Sequence, residues 1–316
     1  MPARISLGQF PTPLERLDAV RQPGCDVWVK RDDKSGEPYG GNKVRKLEYL
    51  LGDARARRKS RILTLGAVGS HHVLATAIYG RREGFEVDAV LLPQPRTEHV
   101  ARNLQADLAQ GLHAHAASSY ASVPLHLAAE LRADTYFISV GGSSPVGTLG
   151  YVAGARELAA QVRAGEMPEP DVIVVTSGSG GTAAGLAAGL AMENMRARVI
   201  AVSVADPPGV IAWYTRWLAD RCHPGASGRL TFDARYLGKG YGHATDAGAV
   251  ATEIARGAGI ELDPTYTAKT FAAVLDLVEA RQYETILYWH TLSSAPMDPL
   301  VRGAPEIDPD LARLFR

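Results

Sequence analysis

Asp171-Val172-Ile173-Val174-Val175-Thr176, then Ser177-Gly178-Ser179-Gly180-Gly181-Thr182, then the alanine-rich run Ala183 to Met195, read in succession as an apolar strand, a glycine turn and a helix. A strand with an apolar residue at almost every position has to be covered on both faces, which is the situation of a parallel sheet between helical layers. The same alternation recurs along the chain. Val27 to Lys30, Ile62 to Leu65, Val87 to Leu92, Tyr136 to Val140, Val199 to Val204 and Thr285 to Trp289 also read as strands, most of them followed by glycine or proline and then by a helical stretch such as Val73 to Arg82. The predicted architecture is α/β, with a length of 316 residues suited to two sheets. Ala164-Gly165-Glu166-Met167-Pro168-Glu169-Pro170 reads as a surface connection, and the chain has no internal repeat or low-complexity run.

The turn in the opening stretch is also the first chemical signal. Strand, glycine turn and helix N-terminus aim backbone N–H groups and hydroxyls at an anion, so Ser177 to Thr182 predicts a phosphate cup. It departs from the dinucleotide fingerprint, because Ala183 stands at the last glycine position, and from the Walker loop, because no Gly-Lys-Ser/Thr follows. A tight turn without a ligand is the alternative reading.

Gly40-Gly41-Asn42-Lys43-Val44-Arg45-Lys46-Leu47-Glu48-Tyr49-Leu50 is the second signal. Val44, Leu47, Leu50, Leu51 and Ala54 recur at helical spacing, which predicts a helix starting near Asn42 with that residue as its N-cap. Lys43 then sits in the first turn, where the helix dipole together with Arg45 and Lys46 would depress its pKa. A neutral amine attacks carbonyls, so Lys43 is a candidate Schiff-base lysine. A solvated basic helix start accounts for the same residues equally well.

Gly66-Ala67-Val68-Gly69-Ser70-His71-His72 is a third strand-to-helix junction, from which Ser70, His71 and His72 would project into the same crevice. Adjacent histidines on a helix face different directions, which excludes them as two ligands of one metal. The remaining histidines read as surface or satisfied residues. No Gly-x-Ser-x-Gly or His-Glu-x-x-His occurs to support a serine hydrolase or a zincin.

Composition excludes other classes. The 34 Lys and Arg balance 34 Asp and Glu, which removes the electrostatic case for binding nucleic acid or an anionic membrane. With 46% hydrophobic and 22% charged residues the chain is neither disordered nor fibrous, and no apolar run approaches the ~20 residues of a membrane span. Met1-Pro2-Ala3-Arg4-Ile5-Ser6-Leu7 lacks the character of a signal peptide, and Cys25 and Cys222 form no metal or redox spacing, so a reducing cytoplasm is expected. One candidate Schiff-base lysine with a cup for one phosphate, in a two-sheet α/β chain, points to pyridoxal phosphate (PLP).

The chain resembles the PLP-dependent family of D-cysteine desulfhydrases and 1-aminocyclopropane-1-carboxylate (ACC) deaminases, within the tryptophan synthase β-like fold (fold type II). The resemblance runs through Phe10-Pro11-Thr12-Pro13-Leu14-Glu15, Val29-Lys30-Arg31-Asp32-Asp33, Gly40 to Leu50, Gly66 to Val73, Gly141-Gly142-Ser143 with Gly147 and Gly150-Tyr151, and Ser177 to Thr182. It continues through Gly240-Tyr241-Gly242 and Asp263-Pro264-Thr265-Tyr266-Thr267-Ala268-Lys269 to Leu287-Tyr288-Trp289-His290-Thr291. It implies that Lys43 holds PLP, with Lys46, Ser179, Gly180, Gly181 and Thr182 around the phosphate. Ser70, Tyr241 and Tyr266 match the family's active-site serine and two tyrosines, so the implied catalytic set is Lys43, Ser70, Tyr241 and Tyr266, and the substrate contacts add His71 and His72. It further implies a homodimer and a division into a larger domain, 1–47 plus 153–316, and a smaller one, 48–152, closing over the site.

Two positions bear on substrate. ACC deaminases resemble one another in carrying Glu after the second tyrosine and an apolar residue after the late histidine, whereas this chain has Thr267 and Thr291, like the desulfhydrases. A carboxylate at the cofactor's ring nitrogen makes a strong electron sink and a threonine hydroxyl a weak one, which favours β-elimination over opening a cyclopropane. Three departures from the family pattern stand out. His71 replaces the Asn that hydrogen-bonds the cofactor's phenolic oxygen, a bond that a ring nitrogen can also donate. Leu292-Ser293-Ser294 replaces Gly-Gly after His-Thr, and Ala268 replaces a glycine. The expected activity is α,β-elimination on a small amino acid, D-cysteine first. ACC deamination, reaction of another β-substituted amino acid, and a non-catalytic PLP-binding protein are the alternatives.

Overall fold

Apolar strands that alternate with helices bury both sheet faces, and the computed structural model, which describes residues 3–315, has this layered form; Met1 and Pro2 of the N-terminal stretch and Arg316 lie outside it. The strands are β1 (Leu14–Arg16), β2 (Asp26–Arg31), β3 (Arg61–Ala67), β4 (Glu86–Leu92), β5 (His113–Ala116), β6 (Thr135–Ile138), β7 (Val172–Ser177), β8 (Arg198–Ser203), β9 (Leu230–Asp233) and β10 (Thr285–His290). The helices are α1 (Lys43–Ala56), α2 (His71–Arg82), α3 (Glu98–Ala109), α4 (Val123–Glu130), α5 (Pro145–Arg163), α6 (Gly181–Met192), α7 (Pro208–Cys222), α8 (Asp246–Gly257), α9 (Thr267–Ala280), and the short α10 (Met297–Val301) and α11 (Pro309–Ala312). Among the described residues no helix is long and apolar enough to cross a membrane.

One sheet has six strands in the order β1-β2-β10-β7-β8-β9, parallel except for β1; the other has four parallel strands in the order β5-β4-β3-β6. The two central strands of the larger sheet divide their side chains by strict alternation. Ile173, Val175, Leu287 and Trp289 pack with Leu186 and Leu190 of α6, and Val172, Val174, Ile286 and Tyr288 pack with Phe271 and Val274 of α9. Helix α6 is buried along nearly its whole length, as its alanine-rich sequence allows.

Several boundaries differ from the sequence reading. Tyr136 to Val140 does not continue as a strand, because the chain turns through Gly141 with φ of 62° after Ile138. The 164–170 connection does run over the surface, with Met167 tucked into the core. A division at 47/48 falls inside α1, and Leu300, Leu311 and Leu314 pack into the core of the smaller sheet, so residues 297–315 return to that side.

Behind the lysine helix lies a buried polar node. Asp32, fully buried after β2, receives both Arg45 nitrogens at 2.8 and 2.9 Å, Tyr151 OH and Trp289 Nε1 at 2.7 Å each, and Thr12 Oγ1 at 2.9 Å. Glu157 takes the rest of Arg45 at 2.8 and 2.9 Å and pairs with Lys30 at 2.7 Å. Burial pushes the Asp32 carboxyl up, but Arg45, Tyr151 and Trp289 outweigh this and hold it below its ordinary value. The node joins five segments and fixes α1 against the larger sheet.

Candidate active site

Loops at the carboxyl ends of parallel strands converge, and here the β3–α2 and β7–α6 junctions, the turn after β10 and the start of α1 enclose a cavity of about 750 Å³. Lys43, Lys46, Ser70, His71, His72, Ser179, Gly180, Thr182, Tyr241, Tyr266 and Thr291 all line it. Gly181 does not; it lies just behind the wall, donating its N–H to Ser143 Oγ at 2.9 Å.

Lys43 is the first residue of α1, and its amine is pushed down to about 8 by burial in the cavity. The direction agrees with the sequence reading but the cause differs, because the Arg45 guanidinium is turned away into the Asp32 node. Asn42 stands at the N-cap position of α1, as expected, but its side chain makes no capping bond. Its backbone is already helical and its amide donates instead to Thr182 Oγ1 at 3.2 Å, which ties the lysine helix to the glycine turn.

The turn is shaped by two glycines and one serine. Gly180 has φ of 85°, and a Cβ there would lie 2.0 Å from Thr215 Oγ1; a Cβ on Gly141 would lie 2.1 Å from Ser179 Oγ. The Ser143 hydroxyl meets Ser179 Oγ at 2.8 Å, the Gly181 N–H at 2.9 Å and Lys46 Nζ at 3.4 Å. Lys46 also donates to Gly141 O at 3.0 Å. Burial, and then the charge of Lys43, hold Lys46 well below an ordinary lysine. Two enclosed amines beside the N-terminus of α6, neither ion-paired to a carboxylate among the described residues, form a site short of negative charge. A phosphate monoester supplies what this donor set lacks. Lys46→Ala should weaken PLP binding about 10- to 100-fold, the worth of a charged hydrogen bond, measured by equilibrium titration of the cofactor; unchanged affinity would place the phosphate elsewhere.

Ser143 carried no role in the sequence reading, although Gly141-Gly142-Ser143 stood out as a motif. Its partners come from α6 and α1, and no local pattern announces them.

The late segments bring the tyrosines together. Asp263 accepts the N–H groups of Thr265, Tyr266 and Thr267 at 3.0, 2.7 and 3.2 Å, which fixes the turn that starts α9. Tyr266 and Tyr241 share a hydrogen bond between hydroxyls, with their rings edge-on at 5.6 Å, and Asp206 holds the Tyr241 N–H at 3.1 Å. Burial raises both phenols, so they are proton donors at neutral pH. The expectation for Thr267 is corrected: its hydroxyl donates to Asp263 Oδ2 at 2.8 Å and is spent within the turn. Thr291 lines the cavity, and its carbonyl holds the Asn42 N–H at 3.0 Å.

At the β3–α2 junction Ser70 precedes the first turn of α2, and its hydroxyl makes no capping bond to the helix. The two histidines diverge as expected. His72 meets Thr64 Oγ1 at 3.0 Å through Nε2. His71, however, has no free nitrogen with which to replace the family's Asn: Nδ1 meets Tyr39 OH at 2.6 Å and Nε2 meets His99 Nε2 at 3.0 Å. Burial, helped by His99, pushes His71 down to about 3, so the ring is neutral. Away from the cavity, Asp88, His115 and Glu130 bring ligand atoms within 4.8 Å of one another, but Arg61 lies 2.8 Å from Asp88 and is the cation of that group.

The family model described as pyridoxal-phosphate dependent enzyme matches residues 5–291. The chain is 35% identical to D-cysteine desulfhydrase of Klebsiella pneumoniae (strain 342) over 307 residues, covering 91% of this chain and 93% of that one. It is also 35% identical to nocardicin C-9′ epimerase of Nocardia uniformis subsp. tsuyamanensis over 310 residues, covering 92% and 93%. The solved structure of an ACC deaminase homologue is similar with a TM-score of 0.81 at 32% identity, covering 95% of this chain and 96% of that one. The parallel sheets are therefore those of fold type II, and the chain belongs to the pyridoxal-phosphate dependent enzyme family.

Proposed function

We propose that the protein is a lyase that removes a leaving group from Cβ of a small amino acid, with D-cysteine as substrate and pyruvate, ammonia and hydrogen sulfide as products. The observation that carries this reading is the hydroxyl pair of Tyr241 and Tyr266 on the wall that also presents the Lys43 amine. PLP supplies an electron sink for the charge that develops at Cα. With its pKa near 8, Lys43 has a neutral fraction that can take the Cα proton, or Ser70 can do so from its own junction. The two phenols keep their protons at neutral pH and can hydrogen-bond a departing sulfur. Ser70, His71, His72 and the tyrosines would surround the substrate, and Ser179, Gly180, Thr182 and Lys46 would hold the phosphate. Thr291 is the weak partner of the ring nitrogen.

Relatives of equal identity carry different names, so substrate is the decisive measurement. The purified protein should show a visible cofactor band and release sulfide from D-cysteine when D-cysteine, L-cysteine, D-serine and ACC are assayed in parallel with recovery of the remaining enantiomers. 2-Oxobutanoate from ACC would move the assignment to deamination, and inversion without product to epimerisation. A band that no amino acid perturbs would make the protein a non-catalytic PLP binder.

The two sheets and their separate cores support a smaller body, built from about 48–152 with 297–315 added, that closes over the cavity from the rest of the chain. The unpaired Cys25 and Cys222 fit a reducing cytoplasm. A homodimer completes the reading, and light scattering on the purified protein tests it.

A further inference from the structure

His71 is the first residue of α2, where the positive end of a helix disfavours an imidazolium, and His99 lies in the first turn of α3. Lys43, Asp263, Tyr266, Tyr39 and His99 are the titratable groups that face His71, and the ring is neutral among them. The hydrogen bonds then fix its tautomer. Tyr39 is 2% exposed, and among the described residues its hydroxyl has His71 as its one side-chain partner. Were His71 Nδ1 to carry the proton, the Tyr39 O–H would be left buried without an acceptor, so Tyr39 donates and Nδ1 accepts. The His71 proton is therefore on Nε2, 3.0 Å from His99 Nε2, which must accept it and carry its own proton on Nδ1. His71 lines the cavity and His99 does not, so the ring's single N–H is directed out of the cavity wall.

We propose that His99 is a positioning residue of the active site: by accepting the His71 Nε2–H it withholds that hydrogen from PLP, whose phenolic oxygen receives no donor from this position while the pair is intact. The pair would thus bias the electronic state of the cofactor whichever amino acid is the substrate. A donor at the phenolic oxygen competes for the proton shared with the lysine–cofactor nitrogen, and its absence leaves that proton more tightly held.

Two measurements on the loaded protein test this. Nitrogen-15 NMR with labelled histidine should find His71 protonated on Nε2 and His99 on Nδ1; His71 protonated on Nδ1 would overturn the proposal. The NMR result stands even for protein that has lost its cofactor, which separates it from any failure of the lyase reading. In the second, His99→Phe frees the His71 N–H, and the midpoint of a pH titration of the visible band should fall by about one pH unit. His99→Gln, whose side-chain carbonyl can accept the same hydrogen, should restore the wild-type midpoint. No shift in His99→Phe, or equal shifts in both variants, would reduce His99 to a packing residue.

Discussion

Replacing Lys43 with alanine is expected to remove the visible cofactor band and to lower turnover by about four orders of magnitude, the combined effect of losing a nucleophile and an acid–base group. The geometry makes the loss hard to compensate. Lys46 is the other buried lysine lining the cavity among the described residues, but it is held by Gly141 O and the Ser143 hydroxyl, on the side of the glycine turn. The measurement is an absorbance spectrum of the variant together with single-turnover kinetics on the substrate that the wild type prefers. Turnover within tenfold of the wild type would remove Lys43 from the chemistry.

Asp32→Asn is expected to be the most destabilising of single substitutions around the site although it lies outside the cavity. It leaves Arg45 buried without its full counter-charge, a change of about 3–5 kcal/mol, or about 5–8 °C in melting temperature for a chain of this size. Because the Asp32 pKa is depressed in the folded state, its contribution to stability is present above the ordinary carboxylate range and is lost as pH falls through the folded value. The difference in melting temperature between wild type and variant should therefore be full at neutral pH and shrink under acid. A difference below about 2 °C at pH 7, by calorimetry, would mean that the node is not what holds α1. Cofactor affinity should fall with stability, since Arg45 lies two residues from Lys43 on the same helix.

The sequence makes legible what obeys a local rule. The central strands were readable because burial on both faces forces an apolar run, as in Val172 to Val175 and Ile286 to Trp289. The strands that escaped reading, β1, β5 and β9, are all at sheet edges, where a short His113-Ala114-His115-Ala116 or Leu230 to Asp233 has neighbours on one side only and no need of such a run. The site divides in the same way. The lysine and the glycine turn announce themselves by position at helix starts. The partners that decide what those residues do, Ser143 for the turn, Asp32 for Arg45, Asp263 for Thr267, and Tyr39 with His99 for His71, come from distant segments and leave no periodic mark. The resemblance located Asp32, Tyr151 and Trp289 as motif residues, and the node gives the physical reason they occur together.

Strand β10 lies between β2 and β7, in the middle of the larger sheet, although it is the last of the ten strands in chain order. On the ribosome β2 and β7 therefore emerge with the slot between them empty, and Asp32 waits for the Trp289 indole to complete its set of donors. The cavity wall that ends at Thr291 closes only when residues 285–291 have been synthesised, so a nascent chain halted before that point carries Lys43 but no finished place to use it.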